Sequence, residues 1–584
     1  MARADKGRKV SYDEIERSRE MRYGKNYKWI ALSNTTLGAL MAAINGTILI
    51  ISLPAVFNGL GVNPLVPSNI ALLLWLLLGY MLVSGVVVVT IGRLSDMFGR
   101  VRLYNLGFAI FTIGSIALYI SSLYITGVSG AISLIILRLF QAIGGGFLMA
   151  NGVAILTDAF PSNERGKAIG FNQIAAVGGS ILGLILGGLL SIFDWHLIFL
   201  VNVPIGIIGT IWAYVALHEI ATIRKGQRFD IAGNVSFGAG ILLVLIALTY
   251  AILPYKTYSM GWRSPIVYIP MAIGIALLIL FIFIERRSRD PMFRLSLFKI
   301  RAFSFGNLSL LLAGIARGGL QFMIIIWLQA IWLPLHRVPF SQTPFQSAIL
   351  MLPLLIGFII LGPTAGYLSD RYGARVFSTV GMVINGIGFL ALILLPVDFG
   401  YATLAAILFI LGVGQGLFAS PNTTAIMNSV PPEQRGAASG MRATLTSISL
   451  IFSIAIFFTV LIVGMSHTLS TTLYNGLISE GLPVSESLRV ASLPPTSALF
   501  AGLIGYNPMR YLINSSVLAS LPQSNSTYIT GTKFFPELIS SPFHNGIGDV
   551  MVIGSVMAFI AAIASAFRGK RYIHGEGAGD TGKV

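Results

Sequence analysis

Residues 92–102 read GRLSDMFGRVR, and residues 366–375 read GYLSDRYGAR. Each stretch follows a long apolar run and sets two glycines, an aspartate and flanking arginines in a short charged turn. A second pair behaves the same way. Residues 161–170 read PSNERGKAIG and residues 431–440 read PPEQRGAASG, both fitting P-x-x-[E/Q]-R-G-x-A-x-G. Counted in apolar runs, each echo falls eight runs after its original. Two unrelated loops displaced by the same interval imply two homologous halves of six spans, with two further spans between them. Parallel repeats of this kind mark secondary transporters, whose substrate site lies where the halves meet.

The composition agrees with a chain that lives in lipid. Hydrophobic residues make up 55% of its 584 residues, charged residues only 10%, and the mean hydropathy is +0.81. So little polar surface excludes a soluble fold. A span needs about 20 mainly apolar residues. Fourteen runs qualify, at 29–56, 70–91, 103–124, 130–157, 167–193, 197–218, 233–253, 264–284, 304–330, 345–366, 377–396, 401–428, 437–464 and 548–567. They are continuous, not ten-residue alternations, which excludes a β-barrel. The expected fold is therefore an all-α polytopic membrane protein.

Net charge +17 could suggest nucleic acid, but its distribution argues otherwise. Of 39 lysines and arginines, nine precede residue 29 and six fall between Arg286 and Arg301. The short loops 57–69, 125–129 and 397–400 hold none. This positive-inside bias predicts cytoplasmic N- and C-termini, as an even span count requires. The basic face is expected against anionic lipid, with no nucleic-acid partner. The polar first 28 residues show no small-residue cleavage pattern, so no cleaved signal peptide is expected. With no cysteine, disulfides and thiolate metal sites are excluded.

The expected organisation is an N-tail (1–28), a six-helix bundle (29–219) and a two-helix insertion (220–301). A second bundle (302–568) and a C-tail (569–584) complete it. The second bundle carries a long outer loop at 465–546, rich in Ser, Pro, Asn and Thr. Within it, Asn514 and Asn525 stand in N-x-S/T sequons, candidate glycosylation sites.

Gly92, Leu94, Asp96, Gly99, Arg100 and Arg102 match G-x-L-x-D-x-x-G-R-x-R, the loop motif of the major facilitator superfamily. Trp195, Phe199, Asn202, Pro204 and Gly206 match W-x-x-x-F-x-x-N-x-P-x-G, a signature entering span 6. RFDIAG and DPMFRLSLF are similar to linker regions of its fourteen-span drug:proton antiporter branch. The sequence resembles that branch over nearly its whole length, apart from the tails and the outer loop. The resemblance implies a 6+2+6 arrangement, export of amphiphilic compounds and exchange for protons. It also implies that Asp96 and Arg100 latch the inner gate against the other half, with Asp370 in the second copy. Gly92 and Gly99 would permit the tight turn.

Charges inside a span are costly and count as functional candidates. Arg138 lies in span 4, ~12 Å below its outer end. With Gln141 it matches the family's R-x-x-Q-G motif, the last glycine being Ala142, and the resemblance implies a part in proton transfer. The other reading is an arginine that snorkels or bonds carbonyls. Arg317, ~20 Å into span 9, matches no motif and is read as lining the cavity or meeting helix ends. Span 5 carries Gly179, Gly183, Gly187 and Gly188, a small-residue stripe for close helix packing, with Leu184 where the branch has proline. Span 1 reads INGTILIISLP, placing Asn45 where the branch has aspartate. An amide releases no proton, which weakens both proton coupling and cationic substrates. Gln329, Gln415, Asn422 and Asn385 complete the polar groups, as cavity lining or as glue between helices.

These residues bear on three classes of function. The first is a secondary exporter working by alternating access, and the second an uptake or uniport carrier of an anionic or neutral solute. The third, a membrane enzyme, lacks any H-E-x-x-H, G-x-S-x-G or phosphate-loop motif. The expected protein is a plasma-membrane monomer without cofactor or metal, whose partners are the bilayer, a small-molecule substrate and protons if coupling is kept.

Overall fold

A computed structural model describes residues 26–569 apart from 63–66, 162–163, 221–229, 254, 257, 259, 289–294, 341, 432–433 and 506. Most of both expected tails, and the opening residues of the two linker phrases, lie outside the described residues.

In lipid every backbone N–H and C=O must bond internally, so uninterrupted apolar runs fold as helices. The first half is α1 (Tyr27–Leu60), α2 (Pro67–Phe98), α3 (Arg100–Tyr124), α4 (Gly127–Ala159), α5 (Arg165–Phe193) and α6 (Leu197–Ala216). The inserted pair is α7 (Ile231–Ala251) and α8 (Pro265–Arg287). The second half is α9 (Arg301–Leu335), α10 (Thr343–Tyr372), α11 (Ala374–Ile393), α12 (Tyr401–Asn428), α13 (Arg435–Ser466) and α14 (Phe534–Ala566). Thirteen are long and apolar enough to cross a bilayer. The fourteenth is α2, if Leu74–Val88 and Thr90–Phe98, bent by 44°, count as one span. The described residues contain no strand, only an isolated bridge between Tyr255 and Tyr258.

The halves meet along two seams, α2 against α13 and α5 against α10. Small residues set both approaches: a Cβ on Gly440 would lie 3.0 Å from Gly92 Cα, and one on Gly170 would lie 2.9 Å from Pro363 Cα. The α7–α8 pair packs face to face, with Phe237 and Phe281 ring centroids 5.0 Å apart. It hangs on α2 through Thr90 Oγ1, which donates to Asn234 Oδ1 at 2.6 Å.

Three sequence expectations change. Gly92 is helical and serves the seam, and the sharp turn is made by Gly99 alone, at φ +104°. The loop expected at 465–546 is folded. Short helices at Leu469–Ser479, Val484–Ala491 and Pro495–Ile504 bury Leu473, Leu477 and Leu499, and Phe500 stacks on Phe458 of α13 at 5.8 Å. Finally, α14 starts at Phe534, well before the run expected at 548–567, and takes Pro542 into its interior.

Candidate functional site

Asp96 sits in the last turn of α2. Its Oδ1 accepts from Arg100 at 2.8 and 3.2 Å, and Arg100 Nη1 also meets Asp158 of α4. Its other oxygen, Oδ2, crosses the seam and accepts the Ala437 N–H at 2.9 Å, in the first turn of α13. The second copy repeats the contact in reverse. Asp370, in the last turn of α10, accepts the Gly166 N–H of α5 at 3.0 and 3.2 Å. Each half thus places a carboxylate on a helix N-terminus of the other, where free N–H groups and the helix dipole favour negative charge. Further bonds cross the same end: Arg165 Nη1 donates to Asn428 Oδ1 at 2.7 Å, and Arg435 meets Asp158 at 3.5 Å.

Gly99 makes this geometry possible. Its positive φ lets α3 start directly after α2, and a Cβ there would lie 2.7 Å from Glu219 Oε2. Glu219, just past α6, accepts the Val101 N–H at 2.9 Å. Burial pushes its carboxyl above the usual range, against the lowering effect of those backbone bonds and of Arg100.

Above the latch lies a cavity of about 280 Å³, lined by α1, α2, α4 and α5 of the first half and by α9, α10, α12 and α13 of the second. Its α1 wall runs from Thr35 to Ile50, ~22 Å at 1.5 Å per residue. A smaller lobe of about 70 Å³ shares Gln173, Arg317, Gln415, Arg442 and Thr446 with it. The lining is mainly apolar, and among the described residues no Asp or Glu belongs to either lobe.

Of the six candidate pathway residues, the structure brings Arg317 alone into the wall. Of the other polar candidates, Gln415 lines both lobes and Asn385 the smaller one. Arg138 stands behind Tyr80, its guanidinium carbon 5.4 Å from the ring centroid, with Nε and Nη1 lacking a hydrogen-bond partner. Gln141 donates to Ser115 Oγ at 2.7 Å, and Asn45 accepts from Asn202 Nδ2 at 3.4 Å. Gln329 is taken up by Ser347 at 3.0 Å, in a π-helical stretch (Trp327–Trp332) of α9. Asn422 donates to Gly306 O and holds the buried Arg568 guanidinium. These five lie outside the wall.

The α5 glycines also face helices rather than the cavity. A Cβ at Gly179, Gly183 or Gly187 would lie 2.7, 2.6 or 2.5 Å from the carbonyl oxygens of Leu40, Ile44 and Ile48 on α1, and Gly188 abuts Phe345. Sequence reasoning missed Arg442, which lines both lobes. The signal was present, since Arg442 stands inside the run at 437–464. Among the described residues no His, Cys, Asp or Glu cluster could hold a metal ion.

The sequence profile of the Major Facilitator Superfamily matches residues 35–254 and 232–454. The Clostridioides difficile riboflavin transporter RibZ is 31% identical over 74% of this chain and 87% of its own. The Bacillus subtilis multidrug transporter MdtP is 25% identical over 92% of each chain. The Streptomyces glaucescens tetracenomycin C resistance and export protein is 23% identical over 93% and 92%. Among solved structures, the proton:xylose symporter XylE shares the fold at a TM-score of 0.54 and 15% identity, over 93% of this chain and 95% of that one. This chain belongs to the Major Facilitator Superfamily.

Proposed function

We propose that this major facilitator exports a small amphiphilic organic compound by alternating access, its halves rocking about the central cavity. The carrying observation is a cavity walled by four helices from each half, with two reciprocal carboxylate latches tying the halves together at one end. Opening that end requires Asp96 and Asp370 to leave the helix N-termini they hold, giving the duplicated turn its gating role. The latch end is the cytoplasmic one on the positive-inside bias, in a plasma-membrane monomer. The tetracenomycin C relative, aligned over more than nine-tenths of the chain, supports export, and the multidrug relative, aligned as fully, supports a drug-like substrate.

Proton antiport, which the branch resemblance implies, has no carboxylate in the cavity to serve it, and would run through Asp96, Asp158 and Asp370 at the latch. A second reading, an uptake or uniport carrier of an anionic or neutral solute without proton coupling, draws support from Asn45 and from the riboflavin-transporting relative.

Purified protein in liposomes with an internal pH-sensitive dye tests the reading against a panel of cationic, neutral and anionic amphiphiles. Substrate movement with proton flux supports antiport, and movement without it supports the second reading. No saturable movement of any amphiphile would overturn both.

A further inference from the structure

Two cations share the cavity, and among the described residues no carboxylate in its lining answers them. Arg442 is only 8% exposed and its Nε lacks a hydrogen-bond partner. Arg317 likewise lines both lobes, and neither arginine forms an ion pair among the described residues. The two stand at different depths. A Cβ on Gly314 would meet Ser449, and one on Gly318 would meet Ser453, so α9 and α13 run side by side in parallel. That register sets Arg442 level with Asn307, ten residues or ~15 Å along the helix from Arg317. The cavity therefore holds two positive stations along its length, within a mainly apolar wall whose polar members, such as Gln173, Gln415 and Thr446, are neutral.

A guanidinium cannot shed its charge at physiological pH, and an unanswered buried charge is costly. A cationic guest would add a third positive charge to a space without a carboxylate. A neutral guest would leave both arginines as they are. A guest carrying an acidic oxygen group would answer each in turn with charge-assisted, bidentate bonds while its apolar body fills the rest.

Resting on the reading of this cavity as the transport site, we propose that its substrate is an amphiphilic anion. A sulfonate, carboxylate or phosphate on an apolar body is passed between Arg317 and Arg442 and leaves down the electrical gradient. Over a full cycle the protein's own charges return to their start, so the net charge moved is that of the substrate and any coupled ion. For a monovalent anion leaving a negative interior, the equilibrium ratio shifts ten-fold for each ~60 mV. Such export needs no proton-carrying carboxylate in the cavity, which accounts for the lining without Asp or Glu and for Asn45 in span 1.

The test uses the full chain and three dansyl probes with one apolar body: a taurine sulfonate, a primary amide and a trimethylammonium. Binding to purified protein is read by dansyl fluorescence. Release of the sulfonate from liposomes is followed under potassium–valinomycin potentials of either sign. The sulfonate is expected to bind at least ten-fold more tightly than the other two, and to leave faster when the lumen is negative. Arg317→Gln and Arg442→Gln should each reduce sulfonate binding ten-fold or more with amide binding unchanged. Arg442→Lys, which keeps the charge if Arg442→Gln fails to fold, should hold the preference within a few-fold. Equal or tighter binding of the trimethylammonium, or equal weakening of all probes by the Gln variants, would overturn the inference and leave the transport reading standing. No saturable binding of any probe would overturn the transport reading itself.

Discussion

Asn45 and Arg138 both face Tyr80, whose ring is part of the cavity wall. An aspartate at 45 would put a titratable oxygen one side chain away from the substrate path. Asn45→Asp is expected to add pH dependence to transport, changing flux by roughly ten-fold across the titration of the new carboxyl, with a smaller effect on thermal stability. Flux of wild type and variant in the same liposomes between pH 5.5 and 8 checks this, and superimposable profiles would remove the site as a coupling locus. At this scale the sequence was partly legible. Arg317 stood out because a guanidinium in the middle of an apolar run has few explanations. Arg442 did not, because it lies two turns inside a helix whose start is charged, and hydropathy alone does not tell a cavity wall from a loop. Asn45, Gln141, Gln329 and Asn422 were visible as polar groups in lipid, but their partners come from other helices, and local pattern does not give those partners.

Helix α5 shows how an element reads its neighbour. Its glycines step along α1 at four-residue intervals, so the backbones touch where any side chain would intrude. A Cβ at Gly183 would also lie 2.3 Å from Thr47 Oγ1, itself bonded to Ser180 O at 2.6 Å. Gly183→Val is therefore expected to cost about 1–3 kcal/mol through overpacking. Gly46→Ala on the facing α1, with nothing within 4 Å of the added Cβ, should be close to neutral. Thermal unfolding of both variants in detergent checks the pair, and equal midpoints would contradict the packing. The stripe was legible because its period matches a helix face. The outer segment was not, since its helices are short, polar on one side and punctuated by proline, and their stability comes from resting on α9, α13 and α14. The early start of α14 escaped for a related reason: Pro536 and Pro542 read as breakers in sequence, yet a packed membrane helix accommodates them.

The whole molecule repeats one device twice. The charged turn and the P-x-x-[E/Q]-R-G loop looked like separate echoes in the sequence, and in the structure they are partners. Asp96 of one half holds the loop that opens α13, and Asp370 of the other holds the loop that opens α5. The 6+2+6 plan was legible because repeat spacing and hydropathy suffice for it, whereas this crosswise pairing depends on how the halves dock. If the halves rock apart at this end during transport, fixing one latch must stop the cycle. The chain has no cysteine, and Ala437 already carries a Cβ, so Asp96→Cys with Ala437→Cys gives one defined pair across the seam. Substrate flux through this variant in liposomes, before and after oxidation to the disulfide, is the most direct measurement. The account predicts flux in the reduced protein, loss of at least nine-tenths of it on oxidation, and recovery with reductant. Undiminished flux through the cross-linked protein would contradict alternating access through this end.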